Sequence, residues 1–308
     1  MRFEMEITHR LMTEDGQSLA VYTRGDANNP AVIFLHGGPG GCISEKSFAF
    51  FDLSKWFVIA FDQRGCGQSQ PFATLVNNTP ADGVSDIELI RKHYQIDTWT
   101  VFGGSYGSTL ALLYAIKHPQ RVSQLVLRGI FLGRQSDIDW LYQEGASYFY
   151  PEEHESFKAV IPNEERDDLV KAYYRIFTGA DEGLKREAAK AWADWEGSLV
   201  HIIPDKHLKD AFVTDFDISL ATLECHFFAN NMFWEDDNYI LNHIERIQNI
   251  PTQIVHGRYD VDCRPSAAFE LAENLGNVQF CIAEESGHSP FDEPMFSILA
   301  DIMKRLEQ

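Results

Sequence analysis

The chain has 308 residues, 44% of them hydrophobic, and a formal net charge of −20 at pH 7. This length suits one large α/β domain or a domain with an insertion, and the charge argues against nucleic acid or an anionic membrane surface as a partner. No apolar run approaches the roughly 18 to 20 residues that span a bilayer, and residues 1–10 lack the apolar core of a signal peptide. We therefore expect a cytoplasmic protein that is not bound to a membrane.

The predicted elements of the first part of the chain alternate between strand and helix. Strands are expected over 3–11 and 19–24, and at the apolar starts of the segments 31–41, 56–69, 98–104 and 122–131. Helices are expected over 84–93 and 106–118, the second ended by Pro119. After the insertion described next, the same alternation returns with strands in "PTQIVHGRYD" and "VQFCIAEESGH" and helices over 265–274 and 291–306. This order predicts an α/β fold with a doubly wound, mainly parallel sheet.

Residues 133–239 interrupt the alternation. Their apolar residues recur at helical spacing, as in Leu169, Ala172, Tyr173 and Ile176. We interpret this segment as a helical cap domain inserted into a catalytic domain made of residues 1–132 and 240–308.

The segment "GGSYG" places Ser105 between an apolar strand and a helix. A Gly-x-Ser-x-Gly sequence in that context is typical of a nucleophile elbow, in which glycines relieve crowding around a strained serine. The alternative interpretation is a simple glycine-rich turn. The helix that begins at Tyr106 would offer free backbone N–H groups to a developing oxyanion.

A nucleophilic serine needs a base and a group that orients the base. In this fold the expected chain order is serine, acid, histidine, with the last two on loops after later strands. Asp260 and His288 follow the last two predicted strands. Asp262 is the rival acid, and we prefer Asp260 because it lies nearer the strand end.

The glycine-rich loop "HGGPGG" follows an early strand, where a second oxyanion donor is expected. We assign the two donors to the backbone N–H groups of Gly38 and Tyr106, against the alternative that this loop is only a Gly-Pro turn. The five cysteines contain no CxxC pair, and no HExxH, GxxxxGK[ST] or GxGxxG motif occurs. We therefore predict neither a metal nor a cofactor.

Several segments together resemble the proline iminopeptidases (prolyl aminopeptidases) of the α/β-hydrolase superfamily: "HGGPGG", "DQRGCGQS", "GGSYGSTLALLYAIKHP", "LRGIF", "WLYQEGAS", "WEGS" and "HGRYDVDC". The resemblance runs from about residue 31 to 288 and includes the insertion. It implies a serine exopeptidase that releases N-terminal proline from small peptides without a cofactor. The family's catalytic triad falls on Ser105, Asp260 and His288.

Glu196 and Glu224 lie on otherwise apolar faces of predicted cap helices. Buried carboxylates need a partner, and spacing alone leaves two possibilities, a substrate ammonium or a structural arginine. The resemblance favours the first, because the family's amine-binding glutamates fall on these two positions. Phe131 and Tyr142 are our candidates for the walls of a proline-sized slot.

Three further hypotheses remain open at this point. Arg128 is expected to anchor the cap through an ion pair, and Cys263 either reacts with thiol reagents or only packs. The activity could instead be that of a carboxylesterase, amidase or lactonase on the same fold, and a non-catalytic binding protein is a more distant alternative. The sequence does not reveal the oligomeric state.

Overall fold

The computed structural model describes residues 5–203 and 212–307 of the chain. Within those ranges one eight-stranded sheet forms. Its strands, β1 to β8 in chain order, are His9–Met12, Ser18–Arg24, Ala31–Leu35, Phe57–Asp62, Trp99–Ser105, Val122–Ile130, Thr252–Gly257 and Val278–Ala283. The first strand begins later than the predicted residue 3, and residues 3 and 4 lie outside the described ranges.

Neighbouring strands of the sheet pair in parallel, except for the two pairs that involve β2. Its strand order is β1-β2-β4-β3-β5-β6-β7-β8, with antiparallel pairing only between β1 and β2 and between β2 and β4. All six residues of β4 are buried, as expected for a strand covered on both faces. The predicted mainly parallel sheet is confirmed.

Helices cover both faces of the sheet and fill the insertion. In chain order α1 to α10 are Pro80–His93, Tyr106–Lys117, Gln135–Tyr142, Pro151–Lys158, Leu169–Thr178, Glu182–Val200, Asp215–Ala229, Tyr239–Asn242, Pro265–Glu273 and Met295–Arg305. Helix α1 begins four residues before the prediction, because Thr79 and Asp82 form a capping box and Pro80 occupies the first turn. The cap boundary predicted at 239/240 falls inside α8.

Two apolar layers hold the sheet. One face packs Ile33, Val101 and Leu127 against α2, and the other packs Val32 and Val126 against α10. This two-sided burial is the doubly wound arrangement that the alternation predicts.

Helices α3 to α7 lie between β6 and β7 in the chain and pack around aromatic rings. The rings of Phe157 and Tyr173 stack with centroids 4.6 Å apart, and Tyr142 stacks on Trp192 at 4.3 Å. Among the residues that the structure describes, no helix is both long enough and apolar enough to cross a membrane.

The parallel strands all point their carboxyl ends toward one edge of the sheet. In α/β sheets that edge is where ligands bind. At this edge Ser105 is the last residue of β5. The segments after β3, β6, β7 and β8 carry the glycine loop, Phe131, Asp260 and His288 respectively.

Candidate active site

Ser105 stands at the corner between β5 and α2. Its φ of 57° and ψ of −133° are a strained backbone conformation for a residue with a side chain. A Cβ atom on Gly103 would collide with the backbone of Gly107, and one on Gly107 would collide with the backbone of Leu35. These two glycines therefore let the strand, the corner and the helix approach closely enough to present the serine.

The glycine loop after β3 lies directly against the serine. A Cβ on Gly37 would be 2.9 Å from the Cβ of Ser105, and Gly38 lines the same small cavity as Ser105. Tyr106 is the first residue of α2, so its N–H lies in the first turn, where backbone donors have no partner within the helix. The structure thus brings both predicted oxyanion donors to Ser105, together with Gly37, which sequence reasoning did not single out.

His288 and Asp260 form a buried hydrogen-bonded pair. Nδ1 of His288 lies 2.9 Å from Oδ2 of Asp260. The backbone N–H of Cys263 donates to Oδ1 of Asp260 at 2.8 Å, and Nε2 of His256 lies 3.3 Å from Oδ2. The rival acid, Asp262, instead lies 4.0 Å from Nε2 of His288. The geometry therefore favours Asp260 as the residue that orients the histidine.

The surroundings shift the pKa values of this pair in opposite directions. Burial lowers the pKa of His288, but the charges of Asp260 and Asp262 and the hydrogen bond to Asp260 outweigh it and raise the pKa above its usual value. Burial raises the pKa of Asp260, but the charge and hydrogen bond of His288 lower it below the usual range. The pair therefore favours an ionised aspartate beside a basic imidazole.

Arg128 contacts His288 rather than the cap. Its Nη1 lies 3.2 Å from Nε2 of His288 and donates to the histidine carbonyl at 3.0 Å. The ion pair to the cap that the sequence predicted is not formed with any carboxylate in the described ranges. Arg128 instead lies across Gly104, where a Cβ would strike the guanidinium.

The pairing of β5 with β6 brings Ser105 close to the residues that contact His288. In the β5–β6 register Gly104 pairs with Arg128 and Ser105 pairs with Ile130. Between them, a Cβ on Gly129 would be 3.0 Å from Cε1 of His288. No hydrogen bond joins Ser105 to His288 among the contacts of the described residues, because Arg128 faces Nε2 in this arrangement.

The cavity beside Ser105 contains both predicted glutamates. Its walls are Gly38, Ser105, Phe131, Leu141, Tyr142, Glu196, Glu224, Phe228, Asp262 and Cys263. The Tyr142 hydroxyl donates to Oε1 of Glu196 and lies 3.3 Å from Oε2 of Glu224. Trp192, which lies on α6, donates Nε1–H to Oε2 of Glu224 at 2.6 Å. All four predicted substrate-binding residues thus line one cavity with the serine.

The groups that donate to the two glutamates are the neutral Tyr142 hydroxyl and Trp192 indole, and the carboxyl group of Asp262 lies within hydrogen-bonding reach of Glu196. Within the described ranges neither forms an ion pair with a lysine, arginine or histidine. Burial raises the pKa of Glu196 well above its usual range, and the charges of Glu224 and Asp262 raise it further. Burial likewise raises the pKa of Glu224, with a further contribution from Asp262. A cation that entered this cavity would meet two carboxyl groups that no described lysine, arginine or histidine neutralises.

Phe131 is tied to the helix that carries the serine. Oγ of Ser108 donates to the Ser105 carbonyl at 2.7 Å and accepts from the Phe131 N–H at 3.2 Å. Oγ1 of Thr109 donates to the Phe131 carbonyl at 2.6 Å. The aromatic wall of the cavity is therefore fixed relative to Ser105.

One group of possible metal ligands occurs at the same place. Ligand atoms of Asp262, Cys263 and His288 lie within 4.8 Å of one another. Two features disfavour a cation there. Burial and the charge of Asp262 raise the pKa of the Cys263 thiol, so the thiol stays protonated, and Arg128 already faces the histidine nitrogen. The same thiol environment favours packing over reactivity for Cys263.

An elbow serine, a histidine–aspartate pair and a glycine loop at the carboxyl edge of a mainly parallel sheet define an α/β hydrolase. A family model described as the alpha/beta hydrolase fold matches residues 30–294. Among solved structures, a probable hydrolytic enzyme from Pseudomonas aeruginosa superposes with a TM-score of 0.68 at 16% identity, covering 97% of this chain and 94% of its own.

Comparison with curated protein sequences identifies the family within this class of hydrolases. A probable proline iminopeptidase of Leptolyngbya boryana is 46% identical, covering 91% of this chain and 88% of its own length. The proline iminopeptidase of Xanthomonas citri is 43% identical over 92% and 90%, and that of Arabidopsis thaliana is 40% identical over 93% and 76%. The chain belongs to the proline iminopeptidase family.

Proposed function

We propose that this chain is a serine exopeptidase that releases N-terminal proline from small peptides. The observation that carries the proposal is the shared cavity of Ser105, Glu196 and Glu224, in which two buried carboxyl groups lie beside a nucleophile and form no ion pair with any described residue. A free N-terminus is a cation that supplies the missing charge. The names of the curated relatives support the same activity. A cytoplasmic location, which we expect from the sequence, is part of the proposal.

The proposed chemistry is acyl transfer. His288 leaves Arg128 and accepts the Ser105 hydroxyl proton at Nε2, while the serine oxygen bonds to the prolyl carbonyl carbon. Collapse of the tetrahedral intermediate breaks the C–N bond, and His288 passes its proton to the departing amine. Water then attacks the prolyl-enzyme and gives a proton to His288. His288 returns that proton to the Ser105 oxygen as the ester bond breaks and proline leaves.

The oxyanion and the imidazolium are the two charges that this reaction creates. The N–H groups of Gly38 and Tyr106 are the proposed donors to the oxyanion, supported by the position of the glycine loop against Ser105. Asp260 holds the Nδ1–H tautomer of His288 and stabilises its cation, supported by the 2.9 Å hydrogen bond.

Two walls of the cavity are proposed to bind different parts of the N-terminal proline. Glu196 and Glu224, on the proposed cap domain of residues 133–239, take the ammonium, while Phe131 and the ring of Tyr142 flank the pyrrolidine. The contact of Phe131 with Phe228, at 5.7 Å between centroids, supports an apolar slot of small size.

The test compares proline p-nitroanilide with p-nitrophenyl acetate as substrates of the full chain. Faster turnover of the proline arylamide, measured as kcat/KM, supports the exopeptidase. If the acetate ester is cleaved and the arylamide is not, the chain is an esterase of the same fold. Failure of a serine-directed phosphonate to label the chain at Ser105 would show a non-catalytic binding protein.

A further inference from the structure

Asp262 lies in the substrate cavity and has no role in the mechanism described above. It follows β7, two residues after Asp260, and its side chain is buried, with 6% of the residue surface exposed. It lines the same cavity as Ser105, Glu196 and Glu224. Three carboxyl groups therefore surround the space beside the nucleophile, where the proposed mechanism uses two.

The oxygen atoms of these three groups are not all engaged. Tyr142 donates to Oε1 of Glu196, and Trp192 donates to Oε2 of Glu224. Asp262 receives a long contact from the Cys263 thiol to Oδ1, at 3.5 Å, and it lies within hydrogen-bonding reach of Glu196. Each of the three side chains thus keeps an oxygen that a ligand in the cavity could use, since a carboxylate oxygen accepts more than one hydrogen bond.

The number of acceptors can be compared with the number of donors on a peptide N-terminus. An N-terminal proline is a secondary ammonium with two N–H groups, and every other unmodified N-terminus is a primary ammonium with three. Glu196 and Glu224 suffice for the first. The second leaves one charged N–H without a partner, and an unpaired buried donor is costly.

We propose that Asp262 is a specificity-determining residue that accepts the third N–H of a primary ammonium, so that the site also takes small primary-amine N-termini such as alanine. This inference rests on the proposed exopeptidase function and extends its substrate class. Phe131, Tyr142 and Leu141 wall the cavity, and they restrict the side chain to a small one.

Other charged groups also face Asp262. His288 lies 4.0 Å away through Nε2, the Asp260 carboxylate is its neighbour on the same loop, and the Arg128 guanidinium acts on it through its charge. Asp262 could therefore serve only to tune His288. That role would affect every substrate alike, because each one needs the same proton transfer.

The experiment compares substrates whose ammonium groups differ by a single N–H. Kinetics are measured with the p-nitroanilides of alanine and N-methylalanine, which carry the same charge but three and two N–H groups, and with the proline arylamide. The variants are Asp262→Asn and Asp262→Ala, with the exposed Asp301→Asn on α10 as the matched control. In the unmodified chain we expect alanine to be cleaved with a higher kcat/KM than N-methylalanine.

In both Asp262 variants the alanine to N-methylalanine ratio of kcat/KM should fall about tenfold or more, while Asp301→Asn keeps the original ratio. Equal losses for all three substrates, or a shifted acid limb of the pH profile with an unchanged ratio, would overturn the inference in favour of a role at His288. An unmodified chain that cleaves proline but not alanine would also overturn it and leave the proposed function standing. A chain that cleaves none of the arylamides contradicts the proposed function itself.

Discussion

Two carboxyl groups of this site are buried to the same extent and behave in opposite ways. Asp260 is 4% exposed and Glu224 is 3% exposed, yet the pKa of Asp260 lies below its usual range and that of Glu224 well above. Asp260 has two imidazoles and a backbone N–H around it, whereas the hydrogen-bond donors to Glu224 among the described residues are the neutral hydroxyl of Tyr142 and indole of Trp192. Within the described ranges, the carboxyl group at the sheet edge thus has an ionisable partner of opposite charge and the one in the insertion has none.

This difference separates the groups proposed to carry out the reaction from the groups proposed to bind the substrate. At the sheet edge the carboxylate already has its partner and is ready before substrate arrives. In the cap cavity the partner is the proposed substrate. Substitutions at the sheet edge should therefore lower kcat/KM for every substrate. Substitutions of the glutamates should lower it only for substrates with a free amine.

The largest expected effect comes from Ser105→Ala. Removing the nucleophile should lower kcat for the proline arylamide by about 10⁴-fold or more, since residues that act as a catalytic unit lose nearly all their effect together. The exposed Ser85→Ala on α1 is the matched control and should keep full activity. Retained turnover in the alanine variant at position 105 would contradict the serine assignment.

Asp260→Asn should be nearly as damaging. An amide in place of the carboxylate favours the wrong imidazole tautomer, which costs about 10⁴-fold in kcat in a comparable triad. The neighbouring Asp262→Asn should retain at least a hundredfold more activity toward the proline arylamide. The reverse order would show that Asp262 is the orienting acid.

Glu224→Gln tests the cap side of the comparison. Loss of a charged hydrogen-bond partner for the ammonium should lower kcat/KM for the proline arylamide by about 10- to 100-fold. A neutral p-nitrophenyl ester, measured with the same enzyme preparation, should lose less than threefold. If both substrates lose equally, Glu224 does not bind the amine.

The pH dependence of neutral ester hydrolysis should depend on the groups at the sheet edge and not on the two glutamates. Because His288 must be unprotonated to act as a base and its pKa is raised, activity should be lost as the pH falls through a value above the ordinary imidazole pKa of about 6.5. Arg128→Gln removes a positive charge that lowers this pKa, so its acid limb should move to higher pH. A limb that moves to lower pH would contradict the contact between Arg128 and His288.

The smallest expected effect is on stability. The pKa of Glu196 is raised in the folded state, so the unfolded chain loses its proton more readily and stability falls as the pH rises above about 4.3. Glu196→Gln removes this penalty and should raise the free energy of unfolding at pH 7 by about 1 kcal/mol, or the Tm by about 2–4 °C. Glu187→Gln, exposed on the same helix α6, is the control for thermal unfolding. A lower Tm for the position 196 variant alone would contradict a destabilising effect of the buried Glu196 carboxyl group.

Much of the site could be predicted because it follows strand ends. Ser105 lies at the end of a strand, Asp260 and His288 lie on the loops after two others, and parallel strands bring those ends to one edge. Glu196 and Glu224 were found from helical spacing, which shows a polar residue on an apolar face but not its partner.

The rest depended on contacts between distant segments. Trp192 has the spacing of a packing residue, and only the tertiary fold shows its N–H on Glu224. Arg128 could not be placed on His288 from the sequence, because 160 residues separate them. Asp262 was considered only as a rival for Asp260, and its position in the cavity depends on the turn after β7. The early start of α1 could have been found, since Thr79 and Asp82 have capping-box spacing.

The hydrogen bonds from Ser108 and Thr109 to Phe131 have a consequence for engineering this site. They make one wall of the slot part of the same rigid unit as the nucleophile, while the glutamates belong to separate helices of the insertion. If the proposed roles are correct, different parts of the chain determine which ring fits beside the serine and which amine the glutamates bind. Replacing or shifting α6 and α7 should change which N-terminus is accepted without altering the distance between Phe131 and the attacking oxygen.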